Sequence, residues 1–155
     1  MIELVNPNDA RAVRNKDNVL ALYDLMINKK EAEQAVAKFF APKYIQHNPR
    51  VPDGAAELAR FFNKIAKDHA NLRIVIHRIV AIDDYVWAHV HFINLFNDDP
   101  QDRGIAGVDI FKMNADRKAI EHWDVLPEIG DPNKAALANG MYLESVDGSC
   151  PEECF

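Results

Sequence analysis

The sequence has few of the features that mark secreted, membrane or nucleic-acid-binding proteins. Its two cysteines, Cys150 and Cys154, are too few and too close together for a disulfide framework. No uninterrupted apolar run approaches the ~20 residues of a membrane-spanning helix, and the start lacks the pattern of a secretion signal. Acidic residues outnumber basic ones by 24 to 18, which argues against binding to nucleic acid or anionic lipid. We therefore expect a cytoplasmic protein with neither partner.

The composition is that of one globular domain with a substantial core. Apolar residues make up 48% of the chain and charged residues 27%, which are ordinary values for a folded protein. A chain of 155 residues suits one domain and is short for two. Residues 144–155 contain four acidic residues, no basic ones and both cysteines. We expect a single domain over residues 1–143 followed by an acidic tail.

Three amphipathic helices are predicted in the first half of the chain. Apolar residues recur at three-and-four spacing over residues 11–28, 31–40 and 54–70, which is the helical period. Pro42 stops the second helix, and Asp53 is placed to cap the start of the third. Between them the stretch YIQHNP, residues 44–49, is predicted to be a short extended segment around His47.

The second half of the chain has the pattern of strands. After residue 71, β-branched and aromatic residues recur with a period of two. Residues 71–82 and 85–96 are predicted to form one hairpin, and residues 105–113 and 118–126 a second, after the polar loop NDDPQDRG. Helices followed by an antiparallel sheet define the α+β class.

In the first hairpin, a two-residue turn at Asp83 and Asp84 sets a register in which residue 78 faces 89 and residue 76 faces 91. One sheet face then carries Ile76, Arg78, Trp87, His89 and His91. The opposite face is equally apolar, so both sides of the sheet are expected to be covered, one by the helices and the other by a second subunit. The pattern therefore predicts a homodimer through the sheet.

In the second hairpin, pairing of residue 113 with 118 places Asp109 opposite His122. Cross-strand partners have Cβ atoms about 4.5–5.5 Å apart, close enough for a carboxylate to hold an imidazole. Phe111, Ile120 and Asp124 are predicted on the same face. An acid–base pair among large apolar neighbours is a place where pKa values shift. The loop NDDPQDRG leaves open whether Asp109 shares a face with His89 and His91.

Histidines offer two further candidates. His47 would line the mouth of a cavity if its segment lies at the open end of the sheet, although taken alone it is more simply a loop residue. His89 and His91 have the alternate spacing of two metal ligands on one strand face. The sequence does not fix a third ligand, for which His47, His122, Asp109 and Asp124 compete, and we expect no metal.

Several motifs resemble the SnoaL-like polyketide cyclase family of the nuclear-transport-factor-2-like, or cystatin-like, superfamily. YIQHNPRVPDG, WAHVHF, DRGIAGVDIFK, EHWDV and NGMY follow one another in the family's order over about residues 10–143. The resemblance implies a conical α+β fold, an apolar pocket between helices and concave sheet, and a dimer through the outer side of the sheet. Lys112 and Pro127 replace the arginine and glutamine common in the family.

The resemblance also implies a mechanism, on which we base hypotheses for the roles of individual residues. The family's characterised cyclases close rings by an aldol reaction without metal or organic cofactor, and an aspartate serves as acid and base. Asp109 of DIFK is similar to that aspartate. His122 would orient Asp109 or shuttle its proton, while His47 and either His89 or His91 would donate hydrogen bonds to an oxyanion. Further substrate contacts are expected from Trp87, Phe111, Asp124 and Tyr44.

The leading hypothesis for function is acid–base chemistry without a cofactor on a small, mostly apolar carbonyl compound. Aldol cyclisation, isomerisation and dehydration all fall within it. One alternative is a non-catalytic protein that sequesters an apolar ligand in the same pocket. A less favoured alternative is a metal-dependent hydrolase or oxygenase that uses His89 and His91.

Overall fold

A computed structural model describes residues 1–127 and residue 129. The predicted boundary at residue 143, the acidic tail and both cysteines lie outside the described residues. In chain order the elements are β1 (Ile2–Val5), α1 (Ala10–Tyr23), α2 (Ala32–Phe39), β2 (Phe40–Gln46), α3 (Ala55–Asp68), β3 (Arg73–Ile82), β4 (Tyr85–Ile93), β5 (Ile105–Met113) and β6 (Ala119–Val125). Within this part of the chain, no helix is long and apolar enough to cross a membrane.

The three helices pack on a six-stranded sheet with strand order β1-β3-β4-β5-β6-β2. The four strands of the two predicted hairpins are antiparallel and form its centre. β1 pairs with β3 and β2 pairs with β6 in parallel, so the predicted antiparallel sheet is in fact mixed. β1 was not predicted, because a four-residue strand at the sheet edge is too short to show a period.

The predicted helices are present with small differences at their ends. Asp9 caps α1, because its Oδ1 accepts hydrogen bonds from the backbone N–H groups of Arg11 and Ala12, both at 3.0 Å. After Tyr23 the helix widens into a π-helical turn, Asp24–Asn28, which the sequence pattern did not separate from α1.

The predicted cap of α3 is wrong. Gly54 occupies the cap position with a φ of 99° and makes no side-chain cap bond. The Oδ1 of Asp53 instead accepts a hydrogen bond from the backbone N–H of Gln46 at 2.8 Å. Asp53 therefore connects the loop after β2 to Gln46 at the end of the strand, and Gln46 lines the cavity described below.

The first hairpin keeps its predicted register only near the turn. Ile82 pairs with Tyr85 and Arg78 with His89, as predicted. A bulge at His77 then shifts the pairing by one residue, so Ile76 faces Val90 and not His91. A one-residue shift reverses which face a side chain points to, and the placement of Ile76 beside His91 is therefore wrong.

The second hairpin is displaced by two residues from its predicted register. Met113 pairs with Ala119, and Lys112 pairs with Glu121, which leaves Ile120 as a bulge. As a result Asp109 lies opposite Asp124, and the predicted direct pairing of Asp109 with His122 is wrong. Phe111 is the residue that lies opposite His122. A displacement of two residues preserves faces, so Asp109, Phe111, His122 and Asp124 still share one side of the sheet.

The pairing of β5 with β4 shows whether Asp109 shares a sheet face with His89 and His91. Asp109 pairs with Ala88, which is fully buried beneath the helices. Trp87, His89 and His91 alternate with Ala88 along β4 and point to the opposite face. We call the side that carries Asp109 and packs on the helices the inner face, and the side that carries Trp87 the outer face.

Candidate active site

A cavity lies between the inner face of the sheet and the helices. Six phenylalanines line it, together with Leu22, Met26 and Ile27 from α1 and its π-helical turn; the six are Phe40, Phe61, Phe62, Phe92, Phe96 and Phe111. The open space is about 60 Å³, which holds a few waters or a small organic group. The cavity is therefore apolar and small.

Polar side chains reach this cavity from four elements. β5 contributes Asp109, β6 contributes His122 and Asp124, and α1 contributes Tyr23. The stretch YIQHN contributes every second residue, namely Tyr44, Gln46 and Asn48. Alternation along extended backbone explains this spacing, since residues two apart point to the same side.

Asp109 lies at the floor of the cavity with only 3% of its surface exposed. The hydroxyl of Tyr23 donates a hydrogen bond to its Oδ2 at 2.5 Å. Burial raises the pKa of Asp109 to about 7, the bond from Tyr23 opposes this rise, and the charge of Asp124 adds to it. Burial and the neighbouring Asp109 raise the pKa of Tyr23 well above its usual value, so its hydroxyl keeps its proton.

His122 is buried beside Asp109. Its Nε2 lies 3.9 Å from the Oδ1 of Asp109, and its Nδ1 lies 2.9 Å from the Oε1 of Gln46. Its ring centroid lies 4.5 Å from that of Phe111. Burial, assisted by His47, lowers the pKa of His122 to about 3, so the imidazole is neutral at physiological pH. Because it is neutral and its nearest approach to Asp109 is 3.9 Å, the two groups do not form an ion pair.

Asp124 and Tyr44 complete the polar cluster. Asn48 donates a hydrogen bond from its Nδ2 to the Oδ2 of Asp124 at 2.6 Å. Burial raises the pKa of Asp124, while Asn48 and Arg50 oppose that rise. The hydroxyl oxygen of Tyr44 accepts a hydrogen bond from the Nε2 of Gln46 at 3.0 Å. Burial also raises the pKa of Tyr44, with smaller contributions from the two aspartates.

The same cluster has the donor atoms of a metal site. One ligand atom from each of Asp109, His122 and Asp124 lies within 4.8 Å of the others. One imidazole and two carboxylates are a set that divalent transition metals accept. Each residue also has a protein partner, respectively Tyr23, Gln46 and Asn48, so the cluster is held together without an ion.

Comparison with known proteins agrees with this architecture. The sequence profile of the SnoaL-like domain matches residues 19–122, which is more than half of the chain. The protein belongs to the SnoaL-like family. Among curated proteins, none matches the sequence.

Solved structures with the same fold are distant in sequence. A polyketide cyclase candidate from Bacillus cereus shares 17% identity at a TM-score of 0.68, over 81% of this chain and 83% of the other. A protein of unknown function from Mesorhizobium loti, described as similar to nuclear transport factor 2, shares 14% at 0.62, over 79% and 98%. A ketosteroid isomerase candidate from Kribbella flavida shares 17% at 0.60, over 78% and 83%. At such identities the likeness shows the fold alone.

In this SnoaL-like protein, His47 does not line the cavity. Its side chain is 40% exposed, its Nε2 lies 2.9 Å from the Oε1 of Glu121, and its ring stacks on Trp123 with centroids 4.9 Å apart. The prediction that His47 donates to an oxyanion in the cavity is therefore wrong. The reason is the alternation of YIQHN, which turns Gln46 and Asn48 inward and His47 away.

The predicted roles of His89, His91 and Trp87 are also contradicted, because all three lie on the outer face. His89 Nδ1 lies 3.0 Å from Nη1 of Arg78, and His91 Nε2 donates to the carbonyl of Arg103 at 2.7 Å. Trp87 is 46% exposed. Of the nine predicted site residues, the structure brings together Asp109, His122, Asp124, Phe111 and Tyr44.

The sequence analysis missed four polar residues of the cavity, namely Tyr23, Gln46, Asn48 and Arg50. Tyr23 sits within the apolar stripe of α1 and was read as core, although a buried tyrosine hydroxyl needs a partner. Gln46 and Asn48 flank His47, and the strand period alone would have assigned them to the same side as Tyr44. The period of two therefore indicated Gln46 and Asn48, but the prediction considered only His47.

Replacing Tyr23 with phenylalanine is expected to raise the pKa of Asp109 further. A hydrogen bond to a charged group is worth roughly 1.5–3 kcal/mol, which corresponds to about one to two pH units. The measurement is a carboxyl ¹³C NMR titration with Asp109 assigned. Tyr85→Phe, on the outer face, serves as the matched control and should leave the titration unchanged. An unaltered Asp109 titration in Tyr23→Phe would contradict the assigned bond.

Proposed function

We propose that this protein catalyses acid–base chemistry on a small carbonyl compound without a cofactor, by aldol cyclisation, isomerisation or dehydration. The single observation that carries the proposal is the burial of Asp109 at the floor of an apolar cavity with a pKa raised to about 7. A general base works best when its pKa lies near the working pH. Apolar walls strengthen the electrostatic interactions inside.

In the proposed mechanism Asp109 removes a proton from the carbon beside the carbonyl. The C–H bond breaks, an O–H bond forms on Asp109, and the electron pair moves to the carbonyl oxygen as an enolate. The same proton then returns at another position or to the leaving oxygen. In ring closure the enolate carbon attacks a second carbonyl, a C–C bond forms, and the proton passes from Asp109 to the alkoxide produced there. These outcomes share one first step, which needs one base and one oxyanion donor.

Tyr44 is the best-placed donor for that oxyanion. Its hydroxyl oxygen accepts from Gln46, so the hydroxyl proton is not used in that contact. Its raised pKa keeps the proton in place at neutral pH. The predicted oxyanion donors His47, His89 and His91 are replaced in this role by a residue that lines the cavity.

Asp109→Asn is expected to lower proton abstraction by about 10²–10⁴-fold, the usual contribution of a positioned base. The assay is exchange of the α-protons of small ketones, beginning with acetone, in D₂O by NMR. In the wild type, the exchange rate should rise with pH and level off above about 7, because the ionised carboxylate is the active form. Wild-type exchange rates in the variant would remove Asp109 from the mechanism.

Stability provides the folding control for that variant. The folded-state pKa of Asp109 is raised above the ordinary 3.8, so its ionisation destabilises the fold as pH rises from about 4 to about 7. Asp109→Asn lacks this penalty and should have a higher Tm than the wild type at pH 8, with a smaller difference at pH 4. Loss of exchange together with this pattern cannot come from unfolding.

A non-catalytic binding protein is the second candidate, because the six phenylalanines favour apolar ligands whatever Asp109 does. The two functions differ in what Asp109→Asn changes. In the catalytic case the variant binds acetone about as well as the wild type but does not exchange its protons. In the binding case both proteins bind the ketone and neither exchanges its protons.

The metal alternative makes a separate prediction for the cluster of Asp109, His122 and Asp124. Treatment with EDTA is expected to leave α-proton exchange unchanged, whereas added Zn²⁺ should inhibit exchange because it would occupy the base. Elemental analysis of protein purified without a polyhistidine tag accompanies the assay. Loss of exchange with EDTA and its recovery with Zn²⁺ would replace the proposed mechanism with a metal-dependent one.

We also propose a homodimer through the outer face of the sheet. Large apolar side chains exposed on β1, β3 and β4 form one patch there: Ile2, Leu4, Val80, Ile82, Tyr85 and Trp87. Their exposures run from 36% for Val80 to 61% for Ile82. An exposed apolar patch that extends across three strands is typical of a protein interface.

Trp87→Glu is expected to convert the dimer to a monomer at low micromolar concentration, because it would bury charges at the centre of the contact. Sedimentation velocity measures the change. Lys64→Glu on α3, which is solvent-exposed, introduces the same side chain elsewhere and should leave the dimer intact. A wild-type protein that sediments as a monomer would refute the dimer.

A further inference from the structure

Gln46 has a fixed amide orientation because of the backbone that follows it. The N–H of Asn48 donates a hydrogen bond to the Oε1 of Gln46 at 3.0 Å. A backbone N–H can only donate, so the atom it meets must be the amide oxygen and not the nitrogen. The amide nitrogen then points to the hydroxyl of Tyr44, in agreement with the 3.0 Å contact there.

This orientation determines the tautomer of His122. The Nδ1 of His122 lies 2.9 Å from the same Oε1 of Gln46. An amide oxygen can only accept, so Nδ1 must carry the proton. Burial keeps the imidazole neutral, with a pKa lowered to about 3, and a neutral imidazole has one proton. Nε2 is therefore unprotonated, and its lone pair faces the Oδ1 of Asp109 at 3.9 Å.

The second carboxyl oxygen of Asp109, Oδ2, also has a defined hydrogen-bond partner. Tyr23 keeps its proton and donates it to Oδ2 at 2.5 Å. A proton taken up by Asp109 therefore goes to Oδ1, the oxygen that faces the lone pair of His122. Of the other charged groups at the cavity, Asp124, which is held by Asn48, acts on Asp109, and Arg50 acts on Asp124. The partners and charges around His122 are Gln46, Asp109, Asp124 and the more distant His47.

We propose that Gln46 is a positioning residue that holds His122 as an acceptor at Nε2, and thereby makes Oδ1 of Asp109 the oxygen that takes and returns the substrate proton. This inference rests on the proposed function and decides between the two roles predicted for His122. The proton stays on Asp109, because a carboxyl with a pKa of about 7 holds it far better than an imidazole with a pKa of about 3. His122 therefore orients the carboxyl and does not shuttle its proton.

The distance from Nε2 to Oδ1 fits this role in a resting enzyme. At 3.9 Å the two atoms are not hydrogen-bonded, and the ionised carboxylate offers no proton to share. When Oδ1 takes a proton, a movement of about 1 Å gives an ordinary O–H to nitrogen bond. Catalytic hydrogen bonds are often long before the substrate binds and shorten during the reaction.

The test is ¹⁵N NMR of the imidazole nitrogens, with the His122 signals identified by their absence in His122→Phe. In the wild type we expect a protonated Nδ1 and an unprotonated Nε2 at neutral pH. Gln46→Leu removes the acceptor and should move the proton partly or fully to Nε2. Tyr44→Phe is the matched control, because it removes the other partner of Gln46 and should leave the tautomer unchanged.

Two further readouts separate positioning from mere packing. In Gln46→Leu, an N–H at Nε2 would face Oδ1 and stabilise the carboxylate, so the pKa of Asp109 should fall below about 7. The kcat for α-proton exchange should fall by about 10–100-fold with little change in KM, by analogy with groups that orient metal-binding histidines. Gln46→Glu keeps an acceptor for Nδ1 and should restore the wild-type tautomer, which covers the case in which Gln46→Leu does not fold.

The outcomes distinguish this inference from the proposed function. A wild-type His122 protonated at Nε2, or an unchanged tautomer in folded Gln46→Leu, overturns the role of Gln46 whatever Asp109 does. Unimpaired exchange in Asp109→Asn overturns the proposed function but leaves the NMR result standing. The expected tautomers together with the lowered Asp109 pKa and kcat support both.

Discussion

The site depends on one constraint, which is that a carboxyl group is buried in an apolar cavity with no lysine or arginine of the described residues paired to it. Burying an ionised carboxylate costs several kcal/mol unless it is hydrogen-bonded or paired. Asp109 receives one strong bond, from Tyr23, and its other oxygen faces a neutral histidine. The bond from Tyr23 therefore offsets only part of the free-energy cost of burying the carboxylate. The part that is not offset raises the pKa of Asp109. An arginine or lysine at the same place would stabilise the fold and leave the carboxylate a weak base.

The polar residues around Asp109 have fixed roles as hydrogen-bond donors or acceptors. His122, Gln46 and the backbone of Asn48 form a directional series in which each group has one permitted role as donor or acceptor. Side chains alone would leave that direction open, since amides can flip and imidazoles can exchange tautomers. The backbone N–H removes the ambiguity, because it is fixed by the turn after β2. The backbone turn after β2 therefore influences Oδ1 of Asp109, the oxygen proposed to take the proton, through the side chains of Gln46 and His122.

The sequence predicts the elements of this fold better than their faces. Three helices, two hairpins and the α+β class follow from periodicity that extends over many residues. The bulges at His77 and Ile120 do not, because each depends on one residue and on packing against neighbouring strands. The register between β4 and β5 could not be predicted across the long polar loop, so the sequence did not show whether Asp109 and His91 share a face. The SnoaL-like motifs supplied Asp109. Tyr23 was predicted only as part of the apolar stripe of α1, and Gln46 and Asn48 only as part of the extended segment around His47.

Because of the bulge at Ile120, the effect of deleting one residue from β6 depends on which residue is removed. Because Ile120 has no partner on β5, a chain shortened by that residue would keep Lys112 opposite Glu121 and retain the same inward-facing groups. Removal of Trp123, a few residues later, would instead bring Val125 opposite Asp109 and lose the inward carboxyl of Asp124. Two deletions of one residue in the same strand therefore have different effects. The first removes an unpaired residue and preserves the register, whereas the second changes which side chains line the cavity.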